Sequence, residues 1–568
     1  MAKNSRLFHR RLFKLQNPLE VNPQLFREIK GKISGKNIFI ISLISMLIQL
    51  FIVALFLGKL PDIDQPHPQY SRYCTGAIKQ YSFEYLCEHD LGIWQINWEL
   101  FWHDIFLFVS ISSIFIILIV STYIIIADLV KEEKTGTLNF IRLSPQSATN
   151  ILLGKILGTP ILVYFFIASI FPLHLISGIK ANITLVLILI FELVVLTSCA
   201  FFYSLATLFG LIKIGKEELK PWIATFVIAL FLLITTAIFL NHPYLNNSLI
   251  EWLLLCNPVI ALTYSLNTID VASDLVDYMN IESLGELLFY GQPLWTKASI
   301  GIGFILLHFC LWTYWFWQGA TRLFHNPSHT LFSKKQSYWL TGCFVVMALG
   351  FTLQTNKYNM ISKNYIVLQC LLLIMFLSLI AALSPHRQTL YDWARYRHQL
   401  GKNGKLLGQE LVFGEKSPSI IAIAINACIA ITIILLGSAF FLLPKEIATT
   451  MWGVVLNMGM ILFYAVITQL LLLMKNNKRV IWTSITLSLL MIIPPVLFAT
   501  TEATIQELPL VWFFSFIPFV AIKHANISAL LLGVVGQWLA ISLVSWQLIK
   551  KLRQAGRSEI QQLLENKC

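Results

Sequence analysis

Long apolar stretches, separated by short polar ones, run along the whole chain. About twelve of them are long enough to form membrane-crossing helices, which need roughly 20 residues to span a hydrocarbon core of about 30 Å. No Pro/Gly/Ser-rich linker interrupts the series. The predicted spans are 38–58, 104–127, 151–176, 183–212, 221–241, 297–318, 337–354, 364–384, 420–443, 450–474, 480–500 and 527–549.

The polar segment before the first span, residues 1–37, holds nine Lys or Arg residues. Within it, Asn22 is placed to cap a short amphipathic helix with Leu25, Phe26 and Ile29 on one side. We expect this helix to lie along the inner membrane surface. No cleavable signal is expected, because the first apolar run comes too late and is too long.

The composition agrees with this pattern. Of 568 residues, 57% are hydrophobic and only 12% are charged, and the mean hydropathy is +0.70. A soluble domain could not hide so much apolar surface, whereas a bilayer can. The sequence therefore predicts an all-α polytopic membrane protein.

The net charge of +13 follows from the predicted topology. With the N-terminus inside, the inner segments hold 33 of the 42 Lys and Arg residues, as expected for cytoplasmic loops. This distribution explains the net charge by positive-inside bias better than by nucleic-acid binding, because the positive charges are scattered over seven short segments. Those segments are 1–37, 128–155, 213–220, 319–336, 385–419, 475–479 and 550–568.

The most informative polar stretch is 128–155, between the second and third spans. A charged helical end is broken at Gly136, and a short amphipathic segment then runs until a proline stops it. Such a segment needs another surface for its apolar face, although a plain solvated loop is the alternative. The candidate contact residues are Glu132, Glu133, Gly136, Thr137, Leu138, Ile141, Leu143 and Pro145.

The sequence of this stretch resembles that of the coupling helix of type-2 ABC exporter permeases, the membrane subunits of ATP-driven exporters. The resemblance is carried by Glu132-Glu133-x-x-Gly136-Thr137-Leu138, Leu143-Ser144-Pro145-x-Ser147 and Ile151-x-x-Gly154-Lys155. Asn139 departs from the family, which usually has an acid there. The likeness covers residues 20–320 loosely and is weak beyond them.

The resemblance implies a permease domain of six spans over 38–320, preceded by the cytoplasmic tail 1–37 with its elbow helix. Residues 321–568 form a second transmembrane region, either a degenerate permease-like repeat or an anchoring extension. The implied partners are an ABC ATPase dimer, a second permease in a homodimer or heterodimer, and membrane lipid. ATP and Mg²⁺ would bind to the ATPase and no cofactor to this chain. The implied location is a prokaryotic plasma membrane, with both termini cytoplasmic.

Motifs for an enzyme are nearly absent. The stretch Gly210 to Lys216 has the spacing of a phosphate-binding loop, but Glu217 replaces the Ser or Thr that would hold Mg²⁺. Asp62 and Asp64 resemble the acidic pair of membrane-embedded glycosyltransferases, which is a competing interpretation. A passive channel or scramblase is the third. Neither alternative needs a coupling helix.

Two cysteines share the polar outer loop 59–103. Cys74 and Cys87 could form a disulfide in an oxidising exterior, and two free thiols are the alternative. His67 and His89 raise a metal site as a third option, although their spacing matches no ligand pattern. We expect the disulfide and no metal.

Two further features lie at predicted membrane depth. Asn257 and Pro258 break the apolar run 251–269, where the resembled family has re-entrant external helices. Glu192 lies about ten residues into its span, roughly 15 Å deep. An unpartnered carboxylate there costs at least about 2.5 kcal/mol. It is either a polar point on the substrate path or subunit interface, or a protonated acid bonded to a neighbouring helix.

Overall fold

The computed structural model divides the chain into two compact units. Unit 1 comprises Met1–Leu245, Leu253–Glu286 and Leu294–Pro327, and unit 2 comprises Asn246–Trp252, Leu287–Pro293 and Ser328–Cys568. The residues that the structure describes are 22–61, 70–77, 84–87, 89–90, 93–213, 217–241, 248–263, 287–354, 358–400, 407–442, 444–476, 478–500 and 509–556.

Unit 1 is built from long helices. Its α-helices are α1 (Pro23–Lys32), α2 (Gly35–Leu57), α3 (Trp98–Thr135), α4 (Thr137–Arg142), α5 (Ala148–Gly158), α6 (Ile161–Lys180), α7 (Leu185–Leu211), α8 (Lys220–Asn241) and α9 (Ala298–His325). Short 3-10 helices of unit 1 lie at Glu217–Leu219, Pro258–Ala261 and Leu294–Thr296. Another, Leu249–Cys256, precedes Asn257 and has its first four residues in unit 2.

Unit 2 is helical as well in its described part. Its helices are α10 (Lys334–Thr352), α11 (Tyr358–Leu383), α12 (Arg387–Leu400), α13 (Leu407–Phe413), α14 (Ile420–Phe441), α15 (Pro444–Leu472), α16 (Arg479–Thr500), α17 (Pro509–Trp512), α18 (Phe519–Ile522) and α19 (Ile527–Gly556).

Ten helices in the described part of the chain are long and apolar enough to cross a membrane. This architecture is that of an all-α, multi-pass membrane protein, as the sequence predicts. The predicted spans 337–354 and 480–500 are helical, as α10 and α16, but are not among these ten. The count of about twelve spans and the direction of each stay predictions.

One predicted span is wrong as drawn. The segment 151–176 is two helices, α5 and α6, separated at Thr159 and Pro160. Pro160 has φ −92° and ψ 23°, outside the α-helical region, and proline has no backbone N–H to donate. The apolar run continues through the break, so hydropathy alone did not reveal it.

Helix α3 is the centre of unit 1. It packs against α6, α7 and α8, while α9 lies on α7 and α2 on α6. Ile105, Phe106, Leu118 and Ile126 of α3 are fully buried. A helix apolar on all sides is suited to such a position, because every face finds a neighbouring helix.

A small lobe precedes α3 and contains the described strands. β1 (Tyr70–Ser71) pairs antiparallel with β2 (Tyr85–Leu86), and β3 (His89–Asp90) with β4 (Ile93–Trp94). A disulfide joins Cys74 to Cys87, the pair that the sequence placed together. Arg72 then fixes the lobe to α3 through two hydrogen bonds to Asp104, of 2.6 and 3.0 Å.

Helix α15 has the central position in unit 2. It packs against α14, α19 and α11, and α10 packs against α14. Buried amides and hydroxyls link these helices: Asn426 of α14 accepts from the Thr341 hydroxyl at 2.9 Å and donates to Ser337 at 3.0 Å. The amphipathic helix α12 packs on α19.

Candidate functional site

The stretch 128–155 folds as a helix, a break and two shorter helices. Helix α3 ends at Thr135, and Gly136 has φ +75°, a left-handed conformation that glycine adopts without strain. Helix α4 follows at once and ends at Arg142. Ser147 then caps α5 by accepting a hydrogen bond from the Asn150 N–H at 3.2 Å. The predicted helix end and the break at Gly136 both occur where the sequence placed them.

Helix α4 has two different apolar faces. Leu138 and Ile141 are 1% and 7% exposed and pack inside the unit, whereas Phe140 and Leu143 are 80% and 84% exposed. The predicted apolar contact set Leu138, Ile141 and Leu143 is therefore divided. In the structure of this chain only Leu143, joined by Phe140, is free to meet another surface.

A buried ionic cluster lies directly beneath this segment. Lys155 of α5 is 1% exposed, and its Nζ lies 2.6 Å from both Asp128 Oδ2 and Glu132 Oε2 and 3.5 Å from Glu28 Oε1. The carboxylates come from α1 and α3, so the lysine joins three helices. We call Lys155, Glu28, Asp128 and Glu132 the inner ionic cluster.

Besides Lys155, two further cations, Arg27 and Lys32, contact the carboxylates of this cluster. Arg27 pairs with both Glu28 and Glu132, and Lys32 lies 3.2 Å from Glu28 Oε2. The three carboxylate ligand atoms lie within 4.8 Å of one another, a spacing that a metal ion could also bridge. Here the ammonium of Lys155 supplies the positive charge among them.

The pKa values of the cluster follow from these pairs. Burial alone would raise the pKa of Glu28, but Lys155 and Lys32 outweigh it and hold that pKa below its ordinary value. Burial alone would lower the pKa of Lys155, but Asp128, Glu132 and Glu28 outweigh it and raise that pKa. The pKa shifts of Glu28 and Lys155 therefore both favour the charged forms of these two groups.

Helix α1 reaches the cluster because the face of α5 that it packs against carries two glycines, which have no side chains. A Cβ at Gly154 would lie 2.8 Å from the Leu25 amide nitrogen, and one at Gly158 would lie 2.5 Å from the Glu28 Cβ. The two glycines, four residues apart, allow the helix backbones to approach closely. Asn22 caps α1 as predicted and donates to the Asn150 carbonyl at 2.7 Å.

Glu133 forms a second, smaller set of ion pairs. Its carboxylate lies 2.7 Å from Lys213 Nζ and 3.2 Å from Arg142 Nη1. Arg142 Nε also donates to the Phe324 carbonyl at 2.9 Å, which ties α4 to the end of α9. Both acids that the sequence assigned to an external partner, Glu132 and Glu133, are thus engaged inside the unit. Thr137 and Pro145 are exposed.

The described part of the break at Asn257 and Pro258 is compact. The side chain of Asn257 donates to Thr235 and Thr236 of α8 at 2.8 and 2.9 Å and accepts from the Val259 N–H at 3.0 Å. Asn257, Pro258 and Val259 are buried. The predicted polar break is present, with its backbone satisfied by 3-10 turns. Its depth in the membrane stays a prediction.

Glu192 of α7 has a partner on α6. Its Oε1 lies 3.2 Å from His174 Nδ1, and 35% of its side chain is exposed. The sequence left open a partner on a neighbouring helix, and the structure supplies one. Other residues named from the sequence, Asp62, Asp64, His67 and Lys216, lie outside the described residues.

Sequence reasoning missed the residues that hold the site together. Glu28, Asp128 and Lys155 are separated by more than a hundred positions at the widest, so no local periodicity connects them. Two signals were available. Asp128 and Glu132 repeat at the four-residue spacing of one helix face, and Gly154 and Gly158 repeat at the spacing of a close helix crossing.

Searches for similar proteins returned nothing. No protein-family model matches the chain, no curated protein matches its sequence and no solved structure matches its fold. The sequence motif and the geometry of the site are therefore the features that point to a function.

Proposed function

We propose that the chain is the permease subunit of an ATP-driven exporter, with α4 as its coupling helix. The observation that carries the proposal is the exposed pair Phe140 and Leu143, held at the end of a helix that the inner ionic cluster braces. Phenylalanine is among the residues enriched at protein interfaces relative to the rest of the surface. The sequence motif supports the same assignment.

In this proposal the partner is a separate ATP-binding cassette ATPase dimer. Phe140 and Leu143 sit in its apolar groove. From inside, Glu132 joins α3 to α1 and α5, and Glu133 joins α3 to Arg142 of α4. Movement of the ATPase is then passed into the long helices, because Arg142 ties α4 to Glu133 of α3 and to the Phe324 carbonyl of α9. Two permease chains face each other, and ATP and Mg²⁺ bind on the ATPase.

The orientation follows from the charge distribution. The basic segments lie in the cytoplasm of a prokaryotic cell, with both termini inside, the disulfide lobe outside and the Asn257–Pro258 break on the outer side as a re-entrant element. Residues 38–320 form the transport domain. The second region, 321–568, is an extension of it.

The test removes the exposed apolar pair. Purified full-length chain carrying Phe140→Asp and Leu143→Asp should lose the ATP hydrolysis that co-purifies with the wild type from its native membrane, because two carboxylates cannot enter an apolar groove. Phe440→Asp is the matched control, since Phe440 of α14 is also 84% exposed. Equal ATPase activity in the double variant and the wild type would sink the proposal, as would absence of ATPase from the wild type.

A further inference from the structure

Four helices of unit 2 meet at one end of its long spans. Leu390 of α12, Leu473 directly after α15 and Leu548 of α19 form a buried apolar cluster. The Tyr391 hydroxyl donates to the Leu473 carbonyl at 3.2 Å, and the Arg387 guanidinium lies over the Tyr391 ring, 4.9 Å from its centroid. The chain then turns into α16, which also packs on α15. The ends of α15 and α19, the start of α16 and the first turns of α12 are therefore neighbours.

Seven basic side chains are concentrated at this end. We call them the basic surface of unit 2: Arg387, Lys475, Lys478, Arg479, Lys550, Lys551 and Arg553. The three lengths of chain that carry them, 384–391, 472–482 and 543–556, contain no Asp or Glu. Five of the seven are exposed, and none of the seven forms an ion pair with another described residue. The basic surface therefore has a high positive charge that the described part of the chain does not neutralise.

Positive-inside bias explains the sign of these charges but not the lack of counter-ions. In unit 1, a cation of another predicted inner segment, Lys213, lies 2.7 Å from Glu133. Elsewhere in unit 2, Arg397 of α12 lies 3.0 Å from Glu410. The basic surface differs from both of these sites, and it is suited to an anion that comes from outside the described chain.

Exposed tryptophans border the basic surface on the same helices. On α16, Trp482 is 50% exposed and follows Arg479 within one turn, and on α19, Trp546 is 63% exposed and precedes Lys550 by about one turn. The Lys550 ammonium lies 5.5 Å from the centroid of the Trp546 ring. Because α19 is long and apolar enough to cross a membrane, its last cations lie where the span leaves the hydrocarbon. Tryptophan beside lysine is typical of the level at which acyl chains meet headgroups.

We propose that the basic surface of unit 2 binds an anionic phospholipid, with its phosphate among the cations and its acyl chains along the exposed apolar sides of α16 and α19. Each cation near an anionic headgroup adds to the affinity. The two elements of the site select different parts of the ligand. A zwitterionic lipid brings the same acyl chains without net charge, and a free phosphate brings the charge without the chains.

The experiment measures lipid binding to the purified, delipidated full-length chain by native mass spectrometry. Dioleoylphosphatidylglycerol and dioleoylphosphatidylcholine, which have the same acyl chains, are titrated in parallel. Phosphatidylglycerol should bind about tenfold or more tightly, because only it carries a net negative charge. Lys550→Gln with Lys551→Gln removes two cations and should weaken phosphatidylglycerol binding about tenfold or more. Binding of phosphatidylcholine should stay unchanged, which shows that the fold is kept.

Two further variants separate position from charge. Lys297→Gln with Lys363→Gln is the matched control, since it removes the same charge from two exposed lysines outside the basic surface. Lys363 lies near the start of α11, whereas α12 follows the end of that helix. This control should bind both lipids like the wild type. Lys550→Arg with Lys551→Arg keeps the charge and should keep the preference for phosphatidylglycerol.

Three results would overturn the proposal. Equal affinity of the wild type for the two lipids would favour an acidic protein segment as the occupant of the basic surface. Equal losses in the two Gln double variants would mean that net charge, not position, decides binding. Displacement of phosphatidylglycerol by the same concentration of glycerol 3-phosphate would indicate a site for free phosphate. The inference goes beyond the proposed function, and because the chain is tested without an ATPase, its failure is separate from failure of ATPase coupling.

Discussion

The two units differ in how they treat buried polar side chains. Unit 1 contains a buried ionic cluster, Lys155 with its three carboxylates, beside neutral bonds such as those of Asn257 to Thr235 and Thr236. In the described part of unit 2 the bonds between buried side chains of the long helices are neutral. There Asn426 bonds Ser337 and Thr341.

Neutral and ionic networks have different uses. A satisfied network of amides and hydroxyls fixes one arrangement of helices and does not respond to charge. An ion pair responds strongly when a partner is removed or neutralised, because the remaining charge is left buried. Removal of one partner is therefore expected to disturb the inner ionic cluster of unit 1 more than the neutral network of unit 2.

One lysine in unit 2 makes a matched comparison possible. Lys334 is 3% exposed, like Lys155 almost fully buried, but its Nζ donates to the Leu411 carbonyl, the Pro418 carbonyl and the Ser417 hydroxyl. No carboxylate is among these three partners. Burial accordingly lowers the pKa of Lys334 to about 8.

The largest effect is expected at Lys155. Lys155→Met leaves the three carboxylates of the inner ionic cluster buried without their shared cation, which should destabilise the protein by about 3–5 kcal/mol. Thermal unfolding of the purified chain measures this. Lys334→Met should cost only about 1–3 kcal/mol, because it strands neutral acceptors alone. If both variants unfolded at the same temperature, the difference between the units would lose its main support.

A smaller effect is expected from pH in unit 2. Between about pH 8 and pH 10 the unfolded chain keeps the proton on Lys334, since the ordinary lysine pKa is 10.5, whereas the folded chain has mostly lost it. The unfolded state binds more protons, so stability rises with pH, by about 1 kcal/mol per unit. Unfolding free energies of the wild type and Lys334→Met, compared across this range, isolate the contribution. A parallel dependence in both proteins would contradict it.

The smallest effect is expected at the surface of unit 1. Lys134 lies 2.5 Å from Glu218, but 65% and 77% of the two side chains are exposed. Water and salt screen such a pair, so Lys134→Met should leave the unfolding temperature unchanged. A clear loss of stability would mean that charge alone, rather than burial of charge, distinguishes unit 1.

Sequence patterns located the helices better than the contacts between them. Eleven of the twelve predicted spans each coincide with one helix, because hydropathy is a local property that every crossing must have. The exception, at Pro160, shows that an apolar run can hide a break. The partners of Lys155 lay out of reach, since residues distant along the chain meet only through tertiary packing. The division of α4 into buried Leu138 and exposed Phe140 has the same origin.

The length of α3 has a mechanical consequence. Its 38 residues make a rod of about 57 Å, nearly twice the thickness of a hydrocarbon core. Three residues along this helix contact other parts of unit 1. Asp104 accepts from Arg72 of the disulfide lobe, Ser110 bonds His174 of α6, and Glu132 belongs to the inner ionic cluster. A tilt of about 10° about one end would swing the other by roughly 10 Å. For a pivot at the disulfide lobe, a displacement of α3 at Ser110 would therefore be larger at the inner ionic cluster, and α3 would work as a lever.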